Sequence, residues 1–351
     1  VTRLKLHPAL LPSLEEWVEG RQAKSDAHAA FEDWCQLLTD TQFLFHALEE
    51  AAPGDFTRAQ LERVGKWSKD QQDRILNWME GEDDTAELDD EDEALLLRLY
   101  QLRVGPLKRK GRPIRYSHLV VDEVQDLAPI EVAVLVGCAD RHQSVTLAGD
   151  TQQHVLAQSG FGSWDTLLST LGGEQIALSS LEVGYRSTAR ISAFAYGLLG
   201  DLAEGKPGVA TREGPEVELF PFTDHGACVA FLADALSELM RLEPQASIAL
   251  LARRPDIAQI YYDGLIAADL PHTRRVVDQT FAFAPGVEVT EVSEVKGLEF
   301  DYVVLLETSA ACYPDNAFSR RLLHVGATRA CHQLWLTVVE APSPILRRTP
   351  R

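Results

Sequence analysis

Residues His118 to Asp126 read His-Leu-Val-Val-Asp-Glu-Val-Gln-Asp, and this stretch constrains the fold more than any other. Leu119, Val120 and Val121 form an apolar run suited to a buried parallel strand. The run ends abruptly in Asp122 and Glu123. Carboxylates beside a buried strand are costly to desolvate unless something uses them. In open α/β sheets, ligands gather outside the carboxyl ends of the strands. There Asp122 can hold Mg²⁺, directly or through water, beside nucleotide phosphates, and Glu123 can orient or activate a water. A bare Asp-Glu pair reads as a solvated acidic loop. Gln125 and Asp126 make this one specific.

Beyond Asp126 the chain alternates between strand and helix patterns, which predicts a parallel sheet. A helix is expected over 129–138 and a strand over 144–147. That strand ends in Ala148-Gly149-Asp150-Thr151-Gln152-Gln153. A second polar cluster at a strand's carboxyl end belongs beside the first. Asp150 can meet the Mg²⁺ shell, and Gln153 can reach a terminal phosphate. Next comes Gly184-Tyr185-Arg186-Ser187-Thr188. Tyr185 can stack on an adenine face and Arg186 can pair with a phosphate; the plainer alternative is a helix start capped by Ser187. Residues 201–214, with Gly205, Pro207, Gly208 and Gly214, read as a linker. A second α/β unit comes after it, with strands expected over 217–220, 247–252, 287–290, 302–306 and 333–339, and helices over 227–242 and 257–265. Within it, Lys296 and the amide of Gly297 can face phosphate or nucleic-acid backbone, and Glu299 can accept from a ribose. The tail from Ala341, rich in Pro and Arg, is expected to fray.

The first hundred residues read as helices. Phe31, Trp34, Leu37 and Leu38 fall at helical spacing, and Thr57 with Gln60 matches a capping box. Trp67 and Trp78 are read as core or helix-packing residues. The formal net charge is −20, which argues against strong binding to bare DNA by this chain alone. The charge is uneven, however. An acidic run from Glu82 to Glu93, read as a solvated loop and helix start, precedes a basic block of Lys108, Arg109, Lys110, Arg112 and Arg115. Five scattered cysteines without a Cys-x-x-Cys pair argue against a zinc site or disulfide framework. They fit free thiols in a reducing, cytoplasmic setting. No apolar run reaches membrane-spanning length.

Asp-Glu-Val-Gln-Asp, Gly-Asp-Thr-Gln-Gln, Gly-Tyr-Arg-Ser-Thr, Val-Lys-Gly-Leu-Glu-Phe-Asp and Val-Gly-Ala-Thr-Arg-Ala stand in the order and rough spacing of one family. Together they resemble the superfamily 1 DNA helicases of the UvrD/Rep type, with a flavour closest to the helicase IV and HelD branch. The resemblance implies an α/β fold with RecA-like, P-loop NTPase-type parallel sheets, one partial and one complete, behind an all-helical N-terminal region. The expected division is a helical insertion-like region over 1–110, the second part of the first core over 111–204, and a second core over 205–351 without a large inserted subdomain. The resemblance further implies Asp122 as the Mg²⁺ ligand, Glu123 as the residue activating the attacking water and Gln153 as a γ-phosphate sensor. Tyr185 becomes the adenine-stacking ring, Arg186 a γ-phosphate arginine, Glu299 the ribose contact and Arg329 the arginine-finger equivalent. The implied activity is ATP-dependent DNA helicase or translocase action on single-stranded DNA. No Gly-x-x-x-x-Gly-Lys-Ser/Thr occurs, so the chain is expected to be the C-terminal portion of a longer motor and to turn over little ATP by itself. A rival reading is a catalytically silent motor-like module docking on a protein such as RNA polymerase.

Overall fold

The computed structural model describes residues 2–19, 27–52, 54–81, 88–150, 152, 163–172, 176–205 and 208–348. The chain divides into two compact units, 1–177 and 178–351.

The first unit opens with helices α1 (Thr2–Lys5), α2 (Leu10–Glu19), α3 (Ala27–Thr39), α4 (Thr41–Ala51), α5 (Arg58–Met79) and α6 (Asp90–Arg103). Their apolar faces meet in one core containing Leu14, Trp34, Leu37, Leu61, Leu95 and Leu99. The capping box at α5 forms as expected: Gln60 N donates to Thr57 Oγ1 at 3.3 Å, and Thr57 N donates to Gln60 Oε1 at 2.7 Å. A hairpin of β1 (Lys108–Arg109) and β2 (Arg112–Pro113) comes next. Then β3 (Leu119–Val121), α7 (Pro129–Val136), β4 (Val145–Leu147) and α8 (Trp164–Thr170) complete the unit. β3 and β4 pair in parallel. Val121, Val124, Val132 and Leu167 pack beneath them, while Val120, 63% exposed, leaves the other face of β3 open.

Two expectations for this unit are corrected. Trp67 and Trp78 are 45% and 52% exposed, so they are surface rather than core residues. The acidic run, in turn, is not wholly solvated. Asp92 lies inside the bundle and accepts from Lys5 Nζ at 2.6 Å, Gln71 Nε2 at 2.9 Å and Trp34 Nε1 at 3.1 Å. Lys5 is itself fully buried and also donates to Asp89 at 2.9 Å. Four helices are thereby tied by one satisfied polar cluster, the condition under which buried charge is tolerated.

The second unit begins with β5 (Val183–Gly184), α9 (Ala189–Leu199) and β6 (Val209–Ala210). It continues through β7 (Glu218–Pro221), α10 (His225–Leu242), β8 (Ser247–Ala252), α11 (Pro255–Ala267), β9 (Thr273–Arg275), β10 (Gly286–Glu291), β11 (Phe300–Leu305), α12 (Ala317–Ala327) and β12 (Ala330–Val338). Six strands form a sheet in the order β7-β12-β11-β8-β10-β9, with every pairing parallel. A parallel sheet must be covered on both faces. Ile248, Leu250 and Val304 point to α10 and α11, packing with Leu232, Leu236 and Tyr261. On the alternate face Leu305 lies so close to α12 that a Cβ on Gly326 would come within 2.7 Å of it.

The sequence pattern groups 185–204 with the first half of the chain and presents 201–214 as a linker; the structure differs on both. α9 packs in the second unit, where His324 Nδ1 meets Ala195 O at 2.8 Å and Arg320 Nη1 donates to Leu198 O at 3.0 Å. Residues 209–210 pair with β5. The tail is packed rather than frayed as far as it is described: Ser343 and Ile345 are fully buried. No helix among the described residues is long and apolar enough to cross a membrane.

Asp92→Ala removes the nearer of the two carboxylates that Lys5 meets inside the bundle and should cost about 3 kcal/mol, read by urea unfolding. The joint Lys5→Met/Asp92→Leu replacement should recover much of that loss. Burial works against ionisation of Asp89, yet the hydrogen bond and charge of Lys5, with smaller help from Trp67 and Arg74, hold its carboxyl below the usual range. A depressed folded-state value gives stability that is present above the unfolded value of about 3.9. It is lost as pH falls through the folded value. Asp89→Asn should therefore flatten the acid limb of stability below about pH 4, measured as urea midpoints against pH.

Candidate functional site

In the first unit the two polar clusters lie side by side at the carboxyl ends of paired strands. Val124 N donates to Ala148 O at 2.9 Å and Ala148 N to Val121 O at 2.8 Å, which carries the pairing past β3 and β4 into the loops. Asp122 is exposed and its Oδ1 accepts from Glu123 N at 2.8 Å. Glu123 takes a left-handed backbone, φ 51° and ψ 38°, a conformation costing a non-glycine residue roughly 1–2 kcal/mol. Such an outlier at a strand end points to function. Gln125 supplies what holds it. Fully buried, its Nε2 donates to Glu123 Oε2 and its Oε1 accepts from Asp150 N at 3.0 Å. One amide side chain thus fixes both loops. Gly149 is required beside it, since a Cβ there would sit 2.4 Å from Gln125 Oε1. Gln153 lies outside the described residues.

In the second unit three segments meet at the amino ends of β11 and β12. Arg186 Nε pairs with Glu299 Oε2 at 2.6 Å. Ser187 Oγ donates to Ala330 O at 2.7 Å. Arg212 donates to Arg186 O and, at 3.3 Å, to Cys331 O. Arg329 is 1% exposed; its Nε donates to Val325 O at 3.1 Å, Nη1 to Leu298 O at 3.2 Å and Nη2 to Thr328 Oγ1 at 3.1 Å. Gly297 makes this approach possible, because its φ of +76° turns the chain so that Leu298 O faces the guanidinium. Lys296 sits half-buried at the start of the turn.

Tyr185, Arg186, Gly297, Glu299 and Arg329 are therefore gathered in one place, with Asp122 and Glu123 in the other unit. Tyr185 presents its ring to the surface, 73% exposed. A cavity of about 270 Å³ opens beside Glu299, walled by Phe281, Phe283, Leu298 and Phe300. Burial pushes the Cys331 thiol up, and the Glu299 and Asp301 carboxylates push it further, against Arg186 and Arg212. Arg329 differs from the picture of an outstretched finger, because its guanidinium is turned into the fold.

Sequence reasoning misses Arg212, Ser187 as a segment tie, and the clamping role of Gln125. Arg212 sits in a Gly-rich stretch that carries no strand signal. Ser187 reads as a cap, a task that Thr188 performs for α9. Among the described residues no cluster of three or more His, Cys, Asp or Glu could hold a metal. The carboxylates fit Mg²⁺ only in the way that ion is usually held, by one or two carboxylates together with phosphate oxygens.

Comparison with known proteins finds a family match, and it lies in the second unit. Residues 286–337 match the family described as UvrD-like helicase C-terminal domain. The stretch includes the Gly297–Glu299 turn and Arg329. Over 168 residues the chain is 26% identical to the ATP-dependent DNA helicase UvrD2 of Mycobacterium bovis, and equally to that of Mycobacterium tuberculosis. The match covers 46% of this chain and 24% of each relative, so the chain spans about a quarter of the length of the curated relatives it matches. Among solved structures, the C-terminal domain of a possible DNA helicase from Lactobacillus plantarum matches at a TM-score of 0.41 and 26% identity. That match covers 48% of this chain and 95% of the other. The sequence similarity is to UvrD-type DNA helicases.

Arg329→Ala should remove the guanidinium from Leu298 O and Val325 O, the latter still held by Thr328 Oγ1 at 2.9 Å, and cost on the order of 2 kcal/mol. Amide exchange should rise at 297–299 and 328–331 ahead of global unfolding. Gly149→Ala should disturb the Gln125 clamp and raise exchange at 123–126 while leaving the second unit unchanged.

Proposed function

We propose that this chain serves an ATP-dependent DNA helicase or translocase of the UvrD type, supplying a second RecA-like motor core and the metal-handling part of the first. The observation that carries the reading is the convergence of Tyr185–Ser187, Lys296–Glu299 and Thr328–Cys331 through the Arg186–Glu299, Ser187–Ala330 and Arg329–Leu298 contacts. Three segments far apart in sequence are drawn to one spot. An exposed aromatic ring next to a guanidinium fits a purine nucleotide, the ring taking the base and the cation a phosphate.

In this reading Tyr185 binds the base, Glu299 accepts from the ribose and Arg186 pairs with the terminal phosphate. Arg329 holds the turn that carries Glu299, and Lys296 and the Gly297 amide face phosphate or nucleic-acid backbone. Asp122 would ligate Mg²⁺, and Glu123, held by Gln125, would take the proton of the attacking water. When bound with ATP, Mg²⁺ would supply neutralisation of the phosphate charge. The partner is single-stranded DNA. A phosphate-cradling glycine loop with its lysine is not in this sequence, so nucleotide binding is weak and turnover is absent in this chain.

The full chain should bind Mg·ATP weakly, at millimolar rather than micromolar concentration. Tyr185→Ala should weaken binding about tenfold, as expected for loss of a stacking contact worth roughly 1–3 kcal/mol. Hydrolysis should stay at background with and without single-stranded DNA. DNA-stimulated turnover would contradict this assignment of roles, as would binding indifferent to Tyr185.

A further inference from the structure

The β1–β2 hairpin concentrates positive charge in a way the fold itself does not use. Lys108, Arg109, Lys110 and Arg112 are all exposed. Arg109 and Arg112 are directly paired across the two strands, so two guanidiniums stand side by side on one face, an arrangement that repels. Lys110 and Gly111 make the two-residue turn with φ of 51° and 77°, the pattern of a type I′ turn that favours Asn-Gly. A lysine in that left-handed position is strained. The sequence thus accepts two local costs at the same five residues.

Among the described residues nothing offsets them. Among the described residues, none of these four side chains has an ion pair or hydrogen bond. Elsewhere arginines find acids: Arg98 with Glu15, Arg103 with Asp33, Arg241 with Glu238, Arg275 with Glu291 and Arg320 with Asp315. With 53 acidic residues against 33 basic ones, four cations on one short hairpin without an acid among the described residues stand apart from the arginines above. Strain and like-charge contact without compensation among the described residues point to an external partner.

We propose that the hairpin 108–112 is a contact site for the phosphodiester backbone of a nucleic acid, separate from the nucleotide-facing residues. Paired guanidiniums take phosphate oxygens in a bidentate fashion, and Lys110 at the tip adds a point charge. Residues 108–112 themselves carry no apolar side chain of the kind a protein interface is built around. Its contacts read charge and position, not sequence.

The test is fluorescence anisotropy of a labelled 20-mer oligothymidylate with the full chain, without nucleotide, over a salt series. Each phosphate contact contributes about −0.7 to the slope of log affinity against log salt for a single strand. Arg109→Gln/Arg112→Gln should therefore flatten the slope by about 1.4. Lys110→Asn, a residue the turn prefers, should flatten it by about 0.7 while the melting temperature stays level or rises, which separates binding from folding. The charge-keeping Lys108→Arg/Lys110→Arg variant should bind like the parent. Unchanged slopes in the neutral variants would overturn the proposal, and so would tighter binding of poly-glutamate than of the oligonucleotide, which would assign the hairpin to an acidic protein. A failure at Tyr185 or Arg186 in nucleotide binding leaves these slopes unmoved, so the two readings fail separately.

Discussion

The second unit depends on one buried guanidinium. A fully charged group enters a protein interior only if its donors are met, and Arg329 meets them with Val325 O, Leu298 O and Thr328 Oγ1. Those partners lie on the end of α12 and on the turn before β11. Satisfying Arg329 therefore fixes that turn against that helix. Glu299, the next residue after Leu298, is placed as a consequence, and with it the partner that Arg186 finds at 2.6 Å. Ser187 and Arg212 bond to Ala330 O and Cys331 O, fastening the remaining segment to the residues just after Arg329. The arginine acts here through what it holds in place.

The first unit solves the same problem with a neutral side chain. Gln125 donates to one strand-end loop and accepts from the other, which suits a place where carboxylates must stay available. An arginine there would neutralise Glu123. An apolar residue would leave the left-handed turn at Glu123 unsupported. The two clusters also occupy opposite kinds of sheet edge: carboxyl ends of β3 and β4 in one unit, amino ends of β11 and β12 in the other. The rule that ligands gather at carboxyl ends locates the first and says nothing of the second.

Much of this is legible in the sequence, for physical reasons that also explain the gaps. Ser247–Ala252 reads as a strand because both faces of a parallel sheet demand an unbroken apolar run, and its bounds are those observed. Thr273–Arg275 has no such run; it is an edge strand and gives no signal. The Thr57–Gln60 box is local and therefore readable. The Lys5–Asp92 pair joins residues 87 apart, and no window of sequence reports it. Residue type alone assigns Trp67 and Trp78 to the core, although their helix places them outward. Arg212 is hidden in a stretch whose glycines look like a linker, because the strand before it is only two residues long.

The central claim is that Arg186 recognises the terminal phosphate of a nucleotide whose base lies on Tyr185. The ratio of ATP to ADP affinity, measured by saturation-transfer NMR on the full chain and its variants, tests it most directly. The account predicts that Arg186→Ala brings the two affinities together, while Tyr185→Ala weakens both to the same degree and leaves their ratio alone. An Arg186→Ala variant that still prefers ATP by the original factor would contradict it.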